Sequence, residues 1–173
     1  YAPRFIEFTR ENEDLVIEIR TKSANWRPLE DVLPNERCIL AWTLSPPEVA
    51  VKYEKLTPSH DQRIEAIKQC LDRGWPVRLC FDPELKIDNW EEIYGPFFKD
   101  VFKRLPAEKI RDVSLGVFRM NADYFKRIKK QRTDSDILFY PFENSQSFVS
   151  YPQDERSYMI ESLKAVLLNY LQA

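Results

Sequence analysis

Two periods of hydrophobic and polar positions alternate along this chain. Leu15-Val-Ile-Glu-Ile-Arg-Thr-Lys-Ser23 is a nearly continuous β-branched run that ends abruptly in two hydroxyls and an ammonium. It predicts a strand buried on both faces that delivers polar groups at its carboxyl end. Cys38-Ile-Leu-Ala-Trp-Thr43, followed by Leu44 and Ser45, and Val77-Arg-Leu-Cys-Phe-Asp82 repeat the scheme, and Asp112 to Val117 reads as a fourth strand. The intervening segments carry helical spacing. Pro3 to Asp14 is weakly amphipathic, Leu29 to Leu33 is a short helical piece, and the prolines opening Pro46 to Lys55 suit a first helical turn. The next helix has the clearest boundaries: Ser59 and Gln62 form a capping box, Ile64, Ile67 and Leu71 form the apolar stripe, and Gly74 sits where a left-handed C-cap is wanted. Asp88 and Glu91 predict a second capping box, opening an aromatic-rich helix through Phe102 that Pro96 should kink. Asn121 to Lys130 is helical. Ile137 to Tyr140 and Phe148 to Tyr151 are β-prone runs of a hairpin, and Pro152 to Leu171 is a final helix.

Strands and helices in strict alternation define an α/β fold with about four mainly parallel strands plus a C-terminal hairpin and helix. Four strands cannot close an eight-stranded barrel, for which about 250 residues is typical. The chain is therefore expected to be an open parallel sheet or part of a barrel, and its 173 residues one domain, 1–173. A net charge of −2 gives no global attraction to nucleic acid or to an anionic membrane. No apolar run reaches the roughly 18–20 residues of a membrane span, and the first residues lack a secretory profile, so a cytoplasmic location is expected. Cys38, Cys70 and Cys80 lack metal-ligand spacing and read as small buried hydrophobes. The chain opens on Tyr1 rather than Met, as a fragment of something longer would.

Three glycines, Gly74, Gly95 and Gly116, are too few and too scattered to write a dinucleotide fingerprint or a phosphate-cradling loop. The single histidine, His60, lies just inside a capped helix start and is expected to be solvated, which argues against a triad or a histidine-based metal site. What remains are the strand ends. Parallel α/β folds place ligands outside the carboxyl ends of their strands, so Lys22, Thr43, Ser45 and Asp82 are candidates to converge, the ammonium on a carboxylate or phosphate and the hydroxyls on a ribose or polar backbone. The plainer alternative is that Lys22 is solvated, Thr43 caps a turn, and Asp82 before Pro83 organises one.

The segments EIRTKSAN, ILAWTLSPPEVAVKYEKLTPSHDQRIEAIKQCLDRGWPVRLCFDP, NWEEIYGPFF, VSLGVFRM, FKRIKKQR and ERSYMIESL resemble, in order, the spore photoproduct lyase family of radical S-adenosylmethionine enzymes. The most specific block has a strand ending in TLS, then Tyr53-Glu54, a Thr/Ser pair, an Arg-containing helix, and Gly-Trp-Pro before the next strand. The resemblance implies the C-terminal part of a partial (β/α) radical-SAM-type barrel. For the full-length parent it implies S-adenosylmethionine and a [4Fe–4S] cluster as cofactors. It further implies direct reversal of a thymine-dimer photolesion in DNA through a 5′-deoxyadenosyl radical. Lys22 then matches a lysine near the methionine part of the cofactor, Thr43 a strand-end hydroxyl near the same ligand, and Ser45 a polar position two residues on.

The chain departs from the family in lacking the Cys-x3-Cys-x2-Cys motif that holds the cluster. Its partner would be the missing N-terminal half of the same polypeptide, and the chain by itself is expected to be inactive. For DNA, the hairpin carries no Lys or Arg, whereas Lys126, Arg127, Lys129, Lys130 and Arg132 precede it and could meet phosphates. Asp82, Tyr140, Phe148, Arg127 and Lys130 are the candidate substrate-binding residues, the rings by stacking on bases. Two other readings stay open: a radical enzyme half with a non-DNA substrate, and a non-catalytic binding domain that lost the cluster motif.

Overall fold

The computed structural model describes residues 1–171. In chain order the elements are α1 (Ala2–Glu11), β1 (Ile17–Thr21), β2 (Cys38–Thr43), α2 (Pro47–Tyr53), α3 (His60–Asp72), β3 (Val77–Glu84), α4 (Trp90–Arg104), β4 (Ile110–Val117), β5 (Arg119–Asn121), α5 (Ala122–Gln131), β6 (Glu143–Asn144), β7 (Phe148–Ser150) and α6 (Gln153–Leu171). Strands β1-β2-β3-β4 form one sheet in sequence order, the arrangement that right-handed βα crossovers produce, and β5-β7-β6 form a second, antiparallel one. The α/β class and the four-stranded parallel sheet thus match the sequence expectation. Among the described residues no helix is long and apolar enough to cross a membrane.

The chain divides into two compact units. Tyr1–Phe81 with Asp100–Ser114 form the first, and Asp82–Lys99 with Leu115–Ala173 the second. In the first, parallel pairing sets Ile17 opposite Cys38 and Thr21 opposite Trp42 across β1 and β2, and Thr43 opposite Cys80 across β2 and β3. All six residues of β2 are buried, as the centre of a parallel sheet requires. β1 departs from expectation: its residues alternate half-buried and exposed, because it lies at the end of the sheet. Val16, counted in its apolar run, lies before the strand and is 56% exposed. One sheet face is charged. Arg78 forks onto Asp112, with Nη2 to Oδ2 at 2.9 Å, and reaches Glu18 Oε2 with Nη1 at 2.5 Å. Cys80 faces Ser114 and Arg20 beside it.

Helix α3 starts where predicted. Ser59 Oγ accepts from the Gln62 amide at 3.3 Å, and Gln62 Oε1 accepts from the Ser59 amide at 2.9 Å. Its stripe, Ile64, Ile67 and Leu71, is buried, and Gly74 adopts φ 82°. His60 is a correction. It is 8% exposed, because this first turn faces α4, where Nε2 lies 3.3 Å from Asp100 Oδ2. Burial pulls the imidazole below its usual range despite the raising effect of Asp100. Burial also lifts the thiols, Cys38 to about 11 and Cys70 to about 12, as inert core cysteines require. The predicted piece at Leu29 to Leu33 is instead a single 3-10 turn at Arg27–Leu29.

In the second unit, α4 starts at Trp90, after Asn89 in the left-handed region at φ 56°, rather than at the Asp88 box. Tyr94 anchors it, its hydroxyl accepting from the Leu85 amide at 2.8 Å and donating to the Leu85 carbonyl at 3.1 Å. Ile137 to Tyr140 is another correction: it forms a 3-10 turn, Asp136–Phe139, that buries Leu138. The hairpin contracts to β6 and β7, and β7 spends its other edge on β5, pairing Met120 with Val149. Phe118, Phe142 and Tyr151 pack as its aromatic core, with Phe118 and Phe142 stacked at 4.7 Å.

The Ser59→Ala substitution deletes the cap of α3 and should lower stability by about 1 kcal/mol, the usual worth of a Ser N-cap. A urea midpoint unchanged from the parent chain would show that the cap carries no load.

Candidate functional site

The carboxyl ends of β1 and β2 open onto a buried carboxylate. Glu54 follows α2 directly, and the turn after it places Thr57 and Pro58 before the α3 cap. Its Oε1 receives Lys22 Nζ at 2.5 Å and Ser45 Oγ at 2.9 Å, and its Oε2 receives Arg63 Nη2 at 2.5 Å. Arg63 is 1% exposed and bonds through all three nitrogens: Nε donates to the Pro58 carbonyl at 3.0 Å, Nη1 to the Thr43 carbonyl at 3.1 Å, and Nη2 also to Thr57 Oγ1 at 2.7 Å. Side chains from the ends of β1 and β2 and from α3 therefore meet at one carboxylate.

Electrostatics explains why the carboxylate stays ionised. Burial pushes the Glu54 carboxyl up, but the hydrogen bonds and positive charges of Lys22 and Arg63 together outweigh it and hold the group below its usual value of 4.5. Lys22 keeps about a third of its side chain in water, whereas Glu54 exposes 9%. The cluster thus presents an ammonium at its rim over an anionic base, with the Ser45 hydroxyl buried beneath.

Of the sequence candidates, Lys22 and Ser45 enter this cluster through their side chains, and Thr43 enters through its carbonyl, with its side chain buried. Lys22 is neither freely solvated nor waiting unpaired. Asp82 belongs to the second unit, where its carboxylate lies against Gly116: a methyl added there would meet Asp82 Oδ1 at 3.0 Å. Tyr140 shares Glu155 with Lys86, whose Nζ is 2.8 Å from Glu155 and 3.0 Å from the phenol oxygen. Arg119 covers the Phe148 ring at 5.3 Å, Arg127 lies over Tyr124 at 5.8 Å, and Lys130 is exposed. Sequence reasoning missed Glu54, Thr57 and Arg63 as site residues. All three sit in the most specific motif block, so the signal was present, but the spacing alone does not reveal that one carboxylate gathers the others.

For the implied cofactors the fit is divided. Lys22, Ser45 and Glu54 suit a zwitterionic amino-acid moiety such as the methionine part of S-adenosylmethionine, which needs both a cation and an anion. The [4Fe–4S] cluster finds no ligand set among the described residues. The three cysteines are buried in separate elements with thiols held protonated, and among the described residues no group of three His, Cys, Asp or Glu side chains is placed to hold a metal.

Removing the Arg63 guanidinium, as in Arg63→Met, strands a buried carboxylate and two carbonyls and should cost about 3–5 kcal/mol, read from urea unfolding. The pH dependence follows from the lowered Glu54 carboxyl. The folded state binds fewer protons than the unfolded chain, so the stability from Glu54 is complete above pH 4.5 and drains as pH falls below it. Glu54→Gln should flatten that acid limb, and an unchanged acid slope would count against the ionised cluster.

Comparison with known proteins places these features. A family model described as spore photoproduct lyase matches residues 3–140, a span that contains the whole Glu54 cluster. The spore photoproduct lyase of Clostridium acetobutylicum is 27% identical over 105 residues, covering 61% of this chain and 31% of that protein. Solved structures give a closer account of shape. Spore photoproduct lyase complexed with dinucleoside spore photoproduct superposes with a TM-score of 0.85 at 15% identity, over 98% of this chain and 52% of that one. A variant with bound AdoMet and dinucleoside spore photoproduct gives the same values. The chain spans about half the length of these solved relatives, and on the family match it belongs to the spore photoproduct lyase family.

Proposed function

We infer that this chain supplies one wall of the S-adenosylmethionine site of a radical enzyme that directly reverses a thymine-dimer photolesion in DNA. The observation that carries the reading is the convergence of Lys22 and Ser45, from two separate strand ends, on the buried Glu54 carboxylate within the family-matched region. A carboxylate arriving at Lys22 meets a cation already oriented by Glu54, and an ammonium beside it finds the same Glu54 as counter-charge. Arg63 fixes Glu54, so the donors keep their positions when the ligand leaves. S-adenosylmethionine, when bound, supplies hydrogen-abstracting power; the residues of this chain bind and orient it. Among the described residues no ligand set for the iron–sulfur cluster is placed, and its ligands are proposed to come from the rest of the full-length parent, leaving this chain by itself inactive.

For DNA, support comes from the family membership and from the cations of α5 and its C-cap, where Lys126, Arg127, Lys129, Lys130 and Arg132 crowd one short stretch. Asp82, Tyr140, Phe148, Arg127 and Lys130 remain the proposed substrate contacts.

The reading is tested in the full-length parent. Lys22→Met should weaken S-adenosylmethionine binding by about tenfold or more, since one charge-assisted contact is lost, and lower lesion repair with it. Binding and repair at parental levels would remove Lys22 from the site. After iron and sulfide reconstitution, cleavage of S-adenosylmethionine by the 173-residue chain would contradict its inactivity.

A further inference from the structure

Within the second unit, α5 and the segment that follows its 3-10 turn enclose a cleft of about 350 Å³. That volume falls in the range of small-ligand sites, about 300–1,000 Å³. Ala122, Phe125, Lys126 and Lys129 recur at helical spacing and form one wall; Phe142 and Asn144 stand opposite. Two lysines line the cleft and no carboxylate does.

The charges there are loosely held. Lys126 lies 3.5 Å from Asp123, but both side chains are mostly in water, so the pair restrains the ammonium weakly. Lys129 rests on rings instead, 4.6 Å from the centroid of Phe139 and 5.8 Å from that of Phe125. Phe142 is fixed from behind by stacking on Phe118, and Phe125 meets it edge-on at 5.6 Å. A bare anion has no use for these rings, and an apolar ligand has no use for two ammonium groups. A nucleotide uses both: base on aromatic wall, phosphate between cations. The Asn144 amide adds a donor and an acceptor for a base edge.

We propose that this cleft binds one nucleotide of a DNA strand, with the phosphate between Lys126 and Lys129 and the base against Phe125 and Phe142. The site rests on the nucleic-acid reading above for its natural ligand and uses none of the residues of the Glu54 cluster. On the basic helix Lys126 and Lys129 line the cleft; Arg127 and Lys130 do not line it and stay proposed contacts outside it.

The test is a titration of the isotope-labelled chain with thymidine 5′-monophosphate at low salt, followed by amide shifts, with thymidine and inorganic phosphate as separate probes. Saturable shifts should map to α5 and to 140–144, and each separate probe should bind about tenfold or more weakly than the nucleotide. Because Phe142 is packed among other rings, the exposed variants carry the test: Lys126→Gln with Lys129→Gln should abolish the nucleotide shifts, and Asn144→Ala should weaken them. With oligothymidylate, the double variant should lower the slope of log affinity against log salt by about 1.4, two cations at roughly 0.7 each on a single strand. Phosphate binding as tightly as the nucleotide, shifts that map elsewhere, or a double variant that binds unchanged would overturn the site. Failure of lesion-containing DNA to bind while the monophosphate titration succeeds would strike the repair reading and leave this cleft standing.

Discussion

The buried carboxylate of Glu54 is the constraint on which the first unit turns. Removing such a group from water costs several kcal/mol, and only good geometry with satisfied lone pairs repays it. Lys22, Ser45 and Arg63 provide that geometry, and each arrives from a different part of the chain. The strand ends are thereby fixed to each other through α3, whose buried arginine also holds the Thr43 and Pro58 carbonyls. Arg63 suits the role better than lysine because its planar fork serves four acceptors at once without losing charge. A site built this way is stiff before any ligand enters.

The sheet shows the same economy in another register. Period-two alternation puts Glu18, Arg20, Arg78 and Asp112 on one face while Leu40, Trp42 and Leu79 pack on the other. A parallel sheet ordinarily hides both faces under apolar groups. Here the charged face is satisfied internally, by the Arg78 fork onto Asp112 and its reach to Glu18, which raises the guanidinium's affinity for its proton and lowers that of Asp112.

Much of this was legible in the sequence, and unevenly so. The capping box at Ser59 and the left-handed Gly74 are local devices, settled by residues a few positions apart, and they appear where predicted. The strand ends with Lys22, Thr43 and Ser45 were readable for the same reason. What failed depended on partners distant in sequence. His60 is buried because α4 lies against its turn, which no helical-capping rule contains. The β1 run looked doubly buried, yet an end position in the sheet leaves every second residue exposed. Ile137 to Tyr140 has strand-like composition, but Leu138 found burial in a 3-10 turn. Glu54 and Arg63 were visible as letters in a motif; their pairing through a fold was not.

The end position of β1 has a consequence for assembly. Among the described residues β1 pairs with β2 alone, so its outer flank offers backbone donors and acceptors to any added strand. Beside that flank, Glu18 and Arg20 stand two residues apart on one face of the strand. An incoming strand in the wrong register would set like charges opposite one another, and one in the right register would set opposite charges there. On the face that carries Glu18 and Arg20, an added strand would meet a carboxylate already held by Arg78 and a neighbouring guanidinium, so its own side chains there would have to match those charges.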